Sequence, residues 1–236
     1  MRSDIPWLLI HGAGGGAWEW AVWLRVLAAA GVDARAIELA PTEPLESTRL
    51  ADYAAQVRDV AAGLDRPVLV GASLGGLLAA MAADAVAARA VILVNPLPPA
   101  PWHAGLPARA AWPARVAWRS TASAAGTARA VPDAAPGTVE WAWRRWRDES
   151  GAVLDEAGAG VAVNRPRCPL LVIASGVDDD VPDAVSAALA AGWQADLVRV
   201  PGASHVGPLL GTSAAAVARQ TLAWVDATVT HASASA

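Results

Sequence analysis

Short runs of apolar residues alternate along this chain with longer, alanine-rich stretches of helical spacing. Residues 7–10 predict a first buried strand. After a glycine-rich turn, 18–30 predict a helix closed by Gly31, since glycine commonly ends helices. Residues 34–39 predict a second strand, ended by the loop from Pro41 to Pro44. Ser47 or Thr48 is expected to cap the next helix, whose apolar positions Leu50, Tyr53, Val57, Val60 and Leu64 fall on one face. Further strands are expected at 68–70, 91–94, 170–174 and 197–200, and further helices at 77–86, about 182–191 and about 213–229. Residues 231–236 read as a frayed tail.

Buried strands that alternate with helices predict a parallel sheet covered on both faces. The stretch from Pro96 to Arg167 breaks the alternation. It is rich in proline and tryptophan, carries no strand run, and is too long for an ordinary connection. It is expected to be an inserted helical segment within a single domain spanning 1–236.

Composition narrows the possible partners. The chain is 55% hydrophobic and 17% charged, with a net charge of -4. Nothing there favours nucleic acid or an anionic membrane. All eighteen basic residues are arginine, and alanine is abundant. This suggests a coding bias, so alanine-rich stretches carry no chemical meaning. Cys168 stands alone and reads as a small buried thiol in a reducing compartment. Asp4 interrupts the start and no cleavage-like site precedes His11-Gly12, so no leader is expected. The longest uncharged run, between Arg66 and Asp84, falls short of the ~20 apolar residues a membrane span needs. A cytoplasmic protein follows as the expectation.

The chemistry begins at Gly71-Ala72-Ser73-Leu74-Gly75, which lies between an apolar strand and a helix. A serine on so sharp a turn has a strained backbone, and side chains at the flanking glycine positions would collide with it. The first amides of the following helix, Leu74 foremost, can receive negative charge. A second donor is expected from His11-Gly12-Ala13-Gly14-Gly15-Gly16, and Ala13 is assigned to it. A dinucleotide site is the competing reading of that turn. Its spacing fails because Ala17 fills the last glycine position, although Glu38 ends the second strand as such a site would require. Serine needs a base held by a third group. Only His205, after the last strand, is placed to serve as that base. Asp178, Asp179 and Asp180, after the fifth strand, are the candidates for the acid, in that order.

Four blocks, His11 to Trp20, Gly71 to Gly76, Gly176 to Pro182 and Gly202 to His205, together resemble the α/β-hydrolase superfamily. The first block is most similar to small esterases akin to plant methylesterases and hydroxynitrile lyases. The resemblance runs from Pro6 to about Val225, most of the insertion excepted. It implies an α/β-hydrolase fold with six strands ordered 2-1-3-4-5-6 and a cap over the site. It also implies a catalytic triad of Ser73, His205 and Asp178, with oxyanion amides on Ala13 and Leu74. The family spacing of the acid to Val181-Pro182 favours Asp178. The implied reaction is hydrolysis of a small carboxylic ester or related acyl bond, with no cofactor or metal. Three features depart from the relatives: Ala72 stands where they usually carry histidine, the outer strands that many of them have are missing, and the cap matches no subfamily.

Within the insertion, 139–149 reads as an amphipathic cap helix. Its Glu140–Arg144 and Arg145–Glu149 pairs would line a solvated face. Leu97 and Trp102 are expected to line the acyl pocket, a setting suited to aromatic or medium-length acyl groups. A lyase, or a receptor that binds without turnover, could use the same fold. Relatives of the lyase type lean on a lysine near the site, and this chain has none.

Overall fold

Which strands lie at the centre follows from how apolar they are. A computed structural model, which describes residues 5–232, places β1 (Trp7–Ile10), β3 (Val68–Ala72), β4 (Ala90–Val94) and, after the insertion, Leu170–Ser175 in the middle of one sheet, buried along their whole length. The less apolar β2 (Ala34–Ile37) and the strand Asp196–Val200 form its edges and stay partly exposed. A two-residue ribbon within the insertion, β5 (Arg115–Val116) against β6 (Glu149–Ser150), makes the sheet strands after it β7 (Leu170–Ser175) and β8 (Asp196–Val200). The six-stranded sheet runs β2-β1-β3-β4-β7-β8 with every pairing parallel, the order expected.

The period of two along each strand splits the core into halves. Leu8, Ile10, Leu69, Val91, Leu93 and Val172 face one side, where α2 (Leu50–Ala62) and α3 (Leu74–Ala82) pack. Trp7, Leu9, Val70, Ile92 and Ile173 face the other, against α1 (Ala21–Ala29) and the C-terminal helix Ala214–Ala232. Each fully buried leucine or isoleucine contributes roughly 1.5–3 kcal/mol. The scaffold therefore does not depend on the polar groups at the strand ends.

Some boundaries differ from those expected, each for a local reason. Helix α2 begins after Arg49, whose N–H donates to Asp52 at 2.7 Å, while Thr48 Oγ1 accepts the Thr42 N–H, so neither Ser47 nor Thr48 is the cap. Helix α3 starts directly at Leu74 rather than at residue 77. The C-terminal helix continues to Ala232; residues 233–236 of the expected tail lie outside the described ones. Between β4 and β7 the chain forms a 3-10 turn (Trp102–Gly105) and four short helices, α4 (Trp118–Thr121), α5 (Ala124–Ala130), α6 (Pro136–Ala142) and α7 (Gly151–Gly158), joined by loops and by the β5–β6 ribbon, so the insertion is helical only in part. Helix α8 (Asp183–Trp193) links β7 to β8, and α9 (Gly207–Leu210) precedes the C-terminal α10 (Ala214–Ala232). Among the described residues no helix is long and apolar enough to cross a membrane.

Candidate active site

Strand β3 delivers Ser73 to the C-terminal edge of the sheet in a backbone conformation with φ 53° and ψ -119°. This is costly for a residue with a side chain and persists only when its surroundings impose it. Ser73 N–H donates to the Val94 carbonyl at 2.9 Å, and the Ser73 carbonyl accepts from Gly76 and Leu97, both at 2.9 Å. A Cβ on Gly71 would collide with the Gly75 carbonyl, and one on Gly75 with the Ile10 carbonyl. That is the steric reason both flanking positions are glycine. Leu74, as the first helical residue, has no carbonyl of its own helix to receive its N–H.

The loop after β8 carries His205, and the loop after β7 carries Asp178. His205 Nδ1 lies 2.7 Å from Asp178 Oδ2. The other oxygen, Oδ1, accepts the N–H groups of Asp180 and Val181 at 2.9 and 2.8 Å, and the carboxylate is fully buried. A carboxylate only accepts, so Nδ1 carries the proton and Nε2 keeps its lone pair. Burial works against charge on His205. The hydrogen bond and charge of Asp178 outweigh it, with help from Asp180 and Glu19, and hold the imidazole above its usual pKa. Asp179 and Asp180 are exposed, and Asp180 pairs with Arg109 at 3.3 Å. Asp178, Asp180 and His205 offer ligand-type atoms within 4.8 Å of one another. Both Asp178 oxygens already accept protein N–H groups, so a cation there would have to displace them.

Two clasps hold the histidine loop. Asn95, at the end of β4, donates through Nδ2 to the His205 carbonyl at 2.6 Å and to Ser175 Oγ at 2.8 Å. Its Oδ1 accepts the Ser175 N–H at 2.8 Å. Asp133, from the insertion, accepts from Ser204 Oγ at 2.6 Å.

The glycine-rich turn after β1 is ordered by His11. Its Nε2 accepts the Leu39 N–H at 3.0 Å, which leaves Nδ1 to donate to the Gly12 carbonyl at 2.7 Å. Burial lowers the His11 pKa to about 4, so the ring is neutral near pH 7. The Gly12 carbonyl and the Ala13 N–H belong to one planar peptide. The histidine therefore fixes the direction of the Ala13 amide.

Glu19 lies behind this turn, 2% exposed, with Oε2 unpartnered among the described residues. Burial pushes its pKa up to about 8, against the opposing pull of the Gly12 and Gly16 amides, His205 and Arg147. An unfolded glutamate releases its proton near 4.5. Between those values the folded chain binds more protons, so its stability falls as pH rises. The Glu19→Gln variant should escape this loss. Its advantage in thermal unfolding should grow from about pH 4.5 to about pH 8, reaching on the order of a few kcal/mol. An advantage that stays constant over that range would contradict the assignment.

Ala13, Ser73, Leu97 and His205 open onto one cavity of about 860 Å³, walled further by Trp112, Trp118, Trp146 and Leu154. Trp102, expected in that wall, packs instead edge-on against Trp193 at 5.5 Å and over Gly192, on helix α8. The expected cap helix also stops at Ala142. Arg144 does pair with Glu140 at 3.6 Å, but Glu149 turns inward, 2% exposed, and makes no pair with Arg145. It accepts from Tyr53 Oη and Ser150 N–H at 2.9 Å and from Gly14 N–H at 3.1 Å. Glu38, the acid of the dinucleotide reading, accepts the Ala17 N–H at 2.8 Å and pairs with Arg147 at 2.7 Å. Cys168 is half-buried and unpaired, its thiol pushed up to about 11 by burial, as an inert thiol would be. The roles that Asn95, Asp133, Glu19, Arg147 and Glu149 take here were missed by sequence reasoning: Glu149 was expected in a solvated pair with Arg145, and Asn95 marks only the end of a strand.

The sequence pattern described as the alpha/beta hydrolase family matches residues 7–220. A probable esterase from Oryza sativa subsp. indica is 39% identical over 111 residues, covering 42% of this chain and 42% of its own. The chain thus spans 42% of the length of the curated relatives it matches. Among solved structures, polyneuridine aldehyde esterase superposes with a TM-score of 0.74 at 18% identity, over 93% of this chain and 98% of that one. Tomato methylketone synthase I, complexed with 2-tridecanone, gives 0.76 at 15% identity, over 95% and 99%. At such identities these two share the fold with this chain.

Proposed function

This chain belongs to the alpha/beta hydrolase family, and from that premise we propose that it hydrolyses carboxylic esters through an acyl-enzyme formed on Ser73. The observation that carries the reading is the 2.7 Å bond between buried Asp178 and His205 Nδ1, on a histidine that shares one cavity with Ser73. His205 Nε2 takes the hydroxyl proton as Ser73 attacks the ester carbonyl, and Asp178 stabilises the imidazolium that results. The Ala13 and Leu74 amides receive the oxyanion. His205 then protonates the leaving alcohol, and in the second half it activates the water that releases the acid. The name of the curated relatives, probable esterase, supports this reaction class over the matched part.

The cavity bears on the substrate. At about 860 Å³, with tryptophan and alanine walls, it sits near the upper end of ordinary ligand pockets. It is roomier than a small ester requires, and favours medium-length or bulky apolar acyl groups. A panel of nitrophenyl esters of graded acyl length tests the proposal. Turnover is expected, rising from acetyl to medium-length chains. His205 must be neutral to accept a proton, and its pKa lies above 6.5. Activity should therefore climb with pH along an acid limb whose midpoint lies above that value. Absence of turnover across the panel would overturn the reading.

A further inference from the structure

We propose that Arg147, reaching in from the insertion, is a positioning residue for the oxyanion turn, with Glu149 as its partner, so that the cap takes part in setting the geometry of the reaction. The inference rests on the acyl-enzyme reading above.

Gly14 follows the proposed oxyanion donor Ala13 and is held on both sides by one short piece of the insertion. Its N–H donates to Glu149 Oε2 at 3.1 Å, and its carbonyl accepts the Arg147 N–H at 2.8 Å. The Arg147 guanidinium then spreads across the turn. Nε donates to the Gly15 carbonyl at 2.6 Å and NH1 to the Leu39 carbonyl at 3.1 Å. NH1 also pairs with Glu38 at 2.7 Å, and NH2 lies 3.4 Å from His11 Nε2. Glu38 binds the Ala17 N–H at the far end of the same turn.

The contact with His11 gives this web its consequence. Arg147 and the Leu39 N–H are both donors directed at Nε2, so that nitrogen must remain an acceptor and the ring proton stays on Nδ1. Nδ1 is the atom that orients the peptide carrying the Ala13 N–H. A planar fork with several donors suits this task, whereas an ammonium can satisfy only part of it. Without the guanidinium, the Gly15 and Leu39 carbonyls lose a donor and the glycine-rich turn loses its brace. An amide aimed at an oxyanion works only within a narrow range of positions. The effect should thus appear in the chemical step rather than in substrate binding.

The experiment compares wild type, Arg147→Ala, Arg147→Lys and, as a control on the exposed face, Arg144→Ala. Each is assayed on the preferred nitrophenyl ester and for inhibition by a trifluoromethyl ketone, which forms an oxyanion on the serine. Thermal unfolding is recorded for all four. The expected result for Arg147→Ala is a fall in kcat on the order of tenfold to a hundredfold, with KM within about twofold. Trifluoromethyl ketone affinity should fall in parallel, Arg147→Lys should recover part of both losses, and Arg144→Ala should match wild type. If Arg147→Ala fails to fold, Arg147→Lys carries the test, with a partial loss in kcat and ketone affinity at unchanged KM. Unchanged kcat in the folded variants would overturn the inference alone, as would a loss confined to KM. A wild type that turns over no ester would instead bring down the functional reading, and the inference with it.

Discussion

Replacing Ser73 by alanine is expected to reduce ester turnover by about a millionfold, the scale on which serine hydrolases lose activity with their nucleophile. The fold should persist. Alanine removes one hydroxyl whose oxygen contributes nothing to the two halves of the core. The backbone hydrogen bonds that hold residue 73 to Val94, Gly76 and Leu97 do not involve the side chain. Unfolding temperature should therefore stay level, because alanine keeps the Cβ and the backbone contacts of the residue at φ 53° and loses only the hydroxyl. Substantial turnover by purified Ser73→Ala would place the nucleophile elsewhere.

The second large effect is expected for Asp178→Asn, on the order of ten thousandfold in kcat. The local geometry decides its direction. The Asp180 and Val181 N–H groups both point at Oδ1 and would hold the carbonyl oxygen of an asparagine there. The new amide nitrogen would then face His205 Nδ1 across the present 2.7 Å contact. Both cannot donate, so the imidazole proton would move to Nε2, and the lone pair that accepts the serine proton would be lost. The exposed Asp179→Asn should retain wild-type activity. Assays of the two variants side by side over pH 6–9 check this, and equal activities would remove Asp178 from the mechanism.

The sheet was legible because its central strands are so apolar that nothing else fits 7–10 or 91–94, and because β–α alternation leaves few topologies. The elbow was legible as a Gly-x-Ser-x-Gly pattern between an apolar strand and a helix; its Gly71 is demanded by the nearby Gly75 carbonyl, and its Gly75 by the Ile10 carbonyl of the neighbouring β1. His205 and the three aspartates 178–180 could be placed after successive strands, but the choice of Asp178 among the three came from the family's spacing to Val181-Pro182. The rest depended on long-range contacts. Glu149 had a plausible partner in Arg145 one helical turn away, but such a pair is worth only about 0.2–0.5 kcal/mol. Three hydrogen bonds to Tyr53, Ser150 and Gly14 compete with it, and helix α6 ends before the pair can form. Trp102 has the same history: its ring finds Trp193 and Gly192, which no local pattern brings near it. Glu19, between two tryptophans, has no sequence feature that marks a buried acid.

The most direct measurement treats the native chain with a fluorophosphonate and locates the adduct by peptide mass spectrometry. One adduct per chain is expected, on the hydroxyl of Ser73, with formation slowing as pH drops below the histidine's pKa. No adduct, or one on a residue other than Ser73, would contradict the account.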